Sequence, residues 1–168
     1  MLFRVDQRFA ASPDDVLAMY CDAGFYETLD GMAKIGRPEV LLVERTDDER
    51  SVHLRLRYAF AGDLPRAALA VLDPRQLTWV EDTVYDLEAR TGETKMLPDH
   101  YADRLTASAH IAVEPSGDEA TTRRVEGIIE VRMPFVGGQV ERAIVSGLRE
   151  HLIAEQDRAG DWLRRPAG

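Results

Sequence analysis

Between residues 40 and 133 hydrophobic and polar positions mostly alternate, and on either side of that stretch the period changes to that of a helix. The clearer helical pattern comes last. Over residues 136–164, Val140, Ile144, Leu148, Leu152, Ala159 and Trp162/Leu163 recur at three- and four-residue spacing, which makes one apolar stripe on a helix. Pro134 fits the end of a preceding strand, because it cannot donate to a ladder, and Pro166 follows the last turn, where a helix stops. Such a helix is about 40 Å long at 1.5 Å per residue. It needs a broad apolar surface to lie on, and the alternating stretch supplies one. Ile144 and Leu148 are expected to bury against inward residues such as Val125 and Ile129.

Residues 2–10 alternate as well, with Phe3, Val5 and Phe9 on one face and Arg4, Asp6 and Arg8 on the other. Ser12-Pro13-Asp14-Asp15 then starts a helix: Ser12 can cap free N–H groups, Pro13 suits the first position, and two carboxylates complement the helix dipole. Val16, Leu17 and Tyr20 form its buried side. Gly24 breaks it, and Phe25, Leu29 and Met32 predict a second short helix ending near Gly31. Strands follow at 40–45 and 51–61, the latter with Val52, Leu54, Leu56, Tyr58 and Phe60 inward and His53, Arg55 and Arg57 outward. Residues 64–72 read as a helical turn between Pro65 and Pro74. Leu77, Trp79, Thr83, Tyr85 and Leu87 mark the next inward face, and a short strand is expected at 94–97 before Pro98. Leu105, Ala107, Ala109, Ile111 and Val113 pair through the turn at Pro115-Ser116-Gly117-Asp118 with a strand at 121–133. Consecutive strands with short turns, lacking a βαβ rhythm, imply an antiparallel sheet. The expected class is α+β, one domain over residues 1–168: about six to seven antiparallel strands curved around a long C-terminal helix, with two short helices after the first strand.

Composition narrows the partners. A formal net charge of −9 opposes nucleic acid or an anionic membrane as the main partner, since phosphates are repelled overall. Arginine supplies nearly all the positive charge, Lys34 and Lys95 being the two lysines. Cys21 is the one cysteine, so no intramolecular disulfide and no cysteine metal cluster is expected; between Met19, Tyr20 and the following turn it reads as a small core residue. The charged N-terminal stretch lacks the apolar core of a signal peptide, and no uncharged run approaches membrane-spanning length. A cytoplasmic protein that does not insert into membranes is expected, its oligomeric state open to a homodimer.

The order of elements is that of the helix-grip fold, and particular residues strengthen the likeness. Phe9-Ala10-Ala11-Ser12-Pro13 leads into the first helix, Leu64-Pro65 follows the third strand, and Leu97-Pro98-Asp99-His100 precedes the sixth. The sharpest match is the strand-to-helix junction from Val131 through Arg132-Met133-Pro134-Phe135-Val136-Gly137-Gly138 to Glu141. On these the whole chain resembles the START-like (SRPBCC) superfamily, which includes the birch-pollen-allergen proteins and the polyketide cyclase/dehydratase group. Within it the chain is similar to an actinobacterial branch of unassigned function. The resemblance implies an apolar cavity between sheet and helix, serving a carrier or an enzyme. The glycine-rich loop of the pollen allergens is missing, so nothing about that loop carries over.

Chemical motifs are few. His53, His100, His110 and His151 are scattered without metal-ligand spacing, so no metal and no cofactor is expected. Gly137-Gly138 is followed by no Lys-Ser/Thr, so it reads as a tight turn rather than a phosphate loop. No G-x-S-x-G elbow occurs, and Asp47-Asp48-Glu49 reads as a solvated turn. Three ionisable residues stand out. His151 and Glu155 share a helical sector with Ile144, Leu148 and Trp162 and are four residues apart, so an imidazolium–carboxylate contact facing the interior is one reading. Glu81 has the parity of Trp79, Thr83 and Tyr85 and would point into the cup. The other reading puts Glu81 at a bulge or rim and the helical pair at the mouth.

These observations favour binding, for carriage or sensing, of a small apolar molecule such as a lipid or polyketide. Leu54, Leu56, Tyr58, Trp79, Tyr85, Ile111, Ile129, Ile144 and Leu148 are the expected lining. Two alternatives stay open: a cyclase/dehydratase-like or lyase-type enzyme with His151, Glu155 or Glu81 as general acid or base, and a chaperone-activator-like interaction module using the sheet exterior.

Overall fold

The computed structural model of the protein describes residues 1–32, 35–64, 66–70 and 72–165. Lys34, Pro65 and Pro166, each invoked above, lie outside the described residues. Strand β1 (Leu2–Phe9) is followed by helices α1 (Pro13–Tyr20) and α2 (Ala23–Glu27). Then come β2 (Glu39–Arg45), β3 (Ser51–Ala59), a helical turn α3 (Arg66–Leu69), β4 (Thr78–Asp86), β5 (Thr91–Pro98), β6 (Leu105–Pro115) and β7 (Thr121–Val131). Helix α4 (Gly137–Leu163) closes the chain. The seven strands form one antiparallel sheet in the order β1-β7-β6-β5-β4-β3-β2, and α4 lies against β1, β7 and α1. This is an α+β helix-grip fold. Among the described residues no helix is long and apolar enough to cross a membrane.

The local signals act as their chemistry dictates. Ser12 accepts a hydrogen bond from the Asp15 N–H at 3.2 Å, and Asp22 caps α2 through the Gly24 N–H at 2.8 Å. At the β7–α4 corner a side chain on Gly137 would meet the Val131 carbonyl at 2.4 Å, so the tight turn requires glycine there. Phe135, in the same corner, adopts a left-handed φ of 66° and is fully exposed.

Several boundaries differ from the sequence expectation. The second helix stops at Glu27, leaving Leu29 buried in the loop that follows. The strand at 94–97 is in fact the eight-residue β5, whose ladder begins at Thr91 and takes in Pro98 opposite Trp79. Its inward pattern is hidden because Gly92 gives up a side chain to the Tyr85 ring, which a Cβ there would meet at 2.8 Å. The strands at 51–61 and 121–133 end at Ala59 and Val131.

The stripe of α4 also divides. Val140, Leu152 and Ala159 are buried in the core, together with Val145 and Gly147, while Trp162 packs edge-on against Phe25 at 5.9 Å. Ile144 and Leu148, expected to be fully buried, are half-buried and border open space under the helix. That difference sets their energetics. Leu54 is 2 % exposed and packed on all sides, so Leu54→Ala should lower stability by about 2–5 kcal/mol. Leu148→Ala should lower it by only roughly 1–2 kcal/mol, because part of that side chain already faces a void. Urea unfolding of the two variants checks the order.

Candidate functional site: a cavity beneath the long helix

Between sheet and α4 lies a cavity of about 140 Å3. Roughly 10–15 Å3 suffices for one water, and apolar cavities of roughly 150 Å3 can stay dry and take a small aromatic molecule. Its floor is Trp79 and Glu81 of β4, Thr94 and Met96 of β5, Ala107, Ala109 and Ile111 of β6, and Arg123, Val125 and Ile129 of β7. Its roof is Val140, Ile144, Leu148 and Leu152 of α4. Exposed His100 and Arg104, with half-buried Tyr101, line it from the β5–β6 connection.

The structure sorts the expected lining residues into two groups. Trp79, Ile111, Ile129, Ile144 and Leu148 border the cavity. Leu54, Leu56, Tyr58 and Tyr85 do not; they are buried in the packed core away from it. All four have the inward parity that suggested them. Parity tells which face of a strand is covered, whereas the curvature of the sheet and the path of α4 decide where that cover is solid. Tyr58 shows the boundary: its ring stacks on Trp79 at 5.8 Å and meets His151 edge-on at 5.9 Å.

Behind that boundary a buried polar cluster joins four elements. Arg123 of β7 is 6 % exposed and donates to Gln7 Oε1 of β1 at 2.6 Å. Tyr20 of α1 donates to Glu155 Oε1 of α4 at 2.8 Å, and the Gln7 amide donates to the Leu152 carbonyl at 2.5 Å. The Arg123 guanidinium stacks on the Tyr20 ring at 4.0 Å and stands 3.8 Å from Glu155. Burial opposes its charge, yet Tyr20, Tyr85 and Glu155 raise its pKa further, so it stays cationic. Gln7 and Arg123 were missed in the sequence although their parity, between Val5 and Phe9 and between Thr121 and Val125, places both inward.

His151 and Glu155 are both buried, at 6 % and 4 % exposure, but neither lines the cavity. Their atoms approach to 3.7 Å, too far for a hydrogen bond, and His151 Nδ1 has no partner among the described residues. Burial lowers the His151 pKa and the Arg123 charge lowers it further, against the opposing pull of Glu155. The ring is therefore neutral near pH 7, and the expected imidazolium–carboxylate contact is not its resting form. Glu155 finds its counter-charge in Arg123 instead.

Glu81 alone of the three candidates faces the cavity. Burial, then the negative field of Glu155, pushes its carboxyl up to about 7 against the pull of Arg123 and the Trp79 N–H. The Trp79 indole nitrogen and Arg123 Nε, on two other lining residues, have no hydrogen-bond partner of normal geometry among the described residues.

A long helix gripped by an antiparallel sheet is the START-like fold, and solved structures of that fold are similar to this chain. A START superfamily protein from Mycobacterium smegmatis is 18% identical at a TM-score of 0.63, over 96% of this chain and 98% of its own. The Zhui aromatase/cyclase of a Streptomyces species is 14% identical at 0.67, over 98% and 94%. Norcoclaurine synthase from Thalictrum flavum is 21% identical at 0.62, over 99% and 87%. No curated protein matches the chain in sequence. Residues 4–163 match the model of a protein family of unknown function, DUF2505, and the chain belongs to that family.

Two stability measurements probe the site. Arg123→Ala should lower stability by about 3–5 kcal/mol, since it leaves Glu155 buried without its counter-charge. Chemical denaturation reads that loss. Glu81 has its pKa raised from 4.5 to about 7, so the native state binds its proton more tightly. Stability is then highest below pH 4.5 from this group and falls as pH rises through about 7, by roughly 3 kcal/mol. Glu81→Gln should remove that fall, leaving the variant more stable than the parent at alkaline pH. His151 acts oppositely: with its pKa lowered, it costs stability as pH drops below 6.5 in both proteins.

Proposed function

We propose that this protein binds a small, mostly apolar molecule in the cavity under α4, for carriage or sensing. The observation that carries the reading is the cavity itself: Ile144 and Leu148 sit over open space lined by hydrocarbon where a packed core would be expected. Leaving that space empty forfeits packing energy, and a ligand that fills it restores dispersion contacts and removes its own apolar surface from water. A norcoclaurine synthase of similar fold, solved in complex with dopamine and hydroxybenzaldehyde, supports the reading. A packed sheet–helix interior, which an interaction module on the sheet exterior would be free to adopt, is not what these residues form.

One observation favours a second, catalytic reading. Glu81 is a carboxyl near half-ionisation at neutral pH inside a largely apolar cavity, a state suited to general acid–base work. Among the similar folds are a protein named a synthase and one named an aromatase/cyclase, so chemistry of cyclase or dehydratase type is the form this reading takes. The helical pair His151 and Glu155 plays no direct part in it, lying outside the lining.

The two tryptophans make the binding test specific. Trp79 lines the cavity while Trp162 packs against Phe25. In a Trp162→Phe background an apolar ligand should quench the remaining Trp79 emission, and Leu148→Phe, which narrows the cavity without adding a tryptophan, should weaken uptake. Native mass spectrometry of gently purified protein should show a co-purifying small molecule. No quenching by any of a panel of compact apolar molecules, such as alkylbenzenes, arylalkanols and short-chain alcohols, would end the binding reading.

A further inference from the structure

Among the described residues that line the cavity, Glu81 is the one acidic side chain. It is fixed there by its register, opposite Leu56 of β3 and Met96 of β5, and it shares the inward face of β4 with Trp79 and Thr83. Among the described residues its carboxylate forms no ion pair, and the nearby Trp79 N–H meets no partner at hydrogen-bond geometry. The charged and titratable groups around it come from separate elements. Glu155 stands on α4, Arg123 on β7 and Tyr58 on β3, and His100 and Tyr101 line the same cavity from the β5–β6 connection, while the lining of β5 and β6 is Pro98, Thr94, Met96 and small or aliphatic residues. Arg123, the buried lining cation, is already matched by Gln7 and Glu155. Arg104 is exposed, so an ion pair formed with it contributes little.

We propose that Glu81 selects the ligand: the cavity takes a compact apolar molecule that carries one O–H or N–H donor, and it disfavours the carboxylate of the same skeleton. The proposal rests on the binding reading above and goes further, to the class of molecule bound. A ligand that displaces water from the cavity removes the hydration of the Glu81 oxygens, and a buried acceptor left unpaired is costly. A hydroxyl or ammonium on the ligand restores that hydrogen bond; a hydrocarbon does not. A carboxylate is worse, because it adds like charge beside Glu81 in a site of low dielectric. Discrimination of this kind, through a buried polar group that one ligand satisfies and another leaves unpaired, is stronger than discrimination by shape alone.

The test is calorimetric titration of the full chain with four molecules of one skeleton: propylbenzene, phenylpropanol, phenylpropylamine and phenylpropanoate. At about pH 8, above the Glu81 pKa of about 7, the alcohol and the amine should bind at least about tenfold more tightly than the carboxylate. In Glu81→Gln the gap between amine and carboxylate should close to within about threefold. The parent protein provides a second measurement free of any folding defect in the variant. As pH is lowered to about 5 and Glu81 takes up its proton, the amine should lose its advantage over the carboxylate, while the alcohol, which a neutral carboxyl still hydrogen-bonds, should keep its advantage over propylbenzene. Carboxylate binding as tight as that of the alcohol, or a gap that Glu81→Gln leaves unchanged, overturns the proposal and points to Arg123 as the polar contact. Propylbenzene binding without preference among the other three removes the selecting role of Glu81 and leaves the binding reading intact. Failure of all four to bind overturns both.

Discussion

The guanidinium of Arg123 is a full charge placed between a sheet and a helix, and the arrangement around it follows from the need to match that charge. In a low-dielectric interior an isolated cation is untenable, so its neighbours must supply an anion and acceptors at close range. Glu155 supplies the anion from α4, Gln7 the carbonyl oxygen from β1, and Tyr20 an aromatic face from α1. Each partner comes from a different element. The cluster therefore ties α4 to β1, β7 and α1 through contacts that are made together only at this register. Its members also satisfy one another, Tyr20 donating to Glu155 and Gln7 to the Leu152 carbonyl, which is the condition under which a buried polar network holds.

Those contacts bear on the cavity as well. The C-terminal half of α4 is tied down at Leu152, Glu155 and Ala159, all buried. The N-terminal half is held at Val140 and by the tight corner at Gly137, and between those fixed points Ile144 and Leu148 span a gap. A helix is stiff over a few turns, so clamping it at two places keeps it from collapsing onto the sheet between them. Glu81 stands in that space, and its raised pKa makes its charged form a loss to stability.

Much of the architecture was legible in local pattern. Alternation in residues 51–59 and 121–131, the cap at Ser12, the glycine at 137 and the spacing of Val140, Leu152 and Ala159 each express a constraint that acts within a few residues. β5 escaped because its inward positions include Gly92, whose missing side chain makes room for Tyr85 from the neighbouring strand. Glu81 was legible too, by parity with Trp79, while Arg123 and Gln7 obeyed the same rule and were passed over because their neighbours Arg124, Arg8 and Asp6 made them look like part of a solvated face.

Sequence by itself determined the elements, their antiparallel order and which face of each is covered, because dihedral preference, capping and periodicity are local properties of the chain. It also singled out His151, Glu155 and Glu81 as ionisable residues on apolar faces. Only the tertiary structure decided that Leu54, Leu56, Tyr58 and Tyr85 are solid core while Ile111, Ile129 and Leu148 border a void. Only it paired Glu155 with Arg123 of a distant strand, instead of giving His151 a charge. The reason is that coverage and charge matching depend on distances between strands and helix across the curved sheet, and those distances are set by how all the elements pack at once.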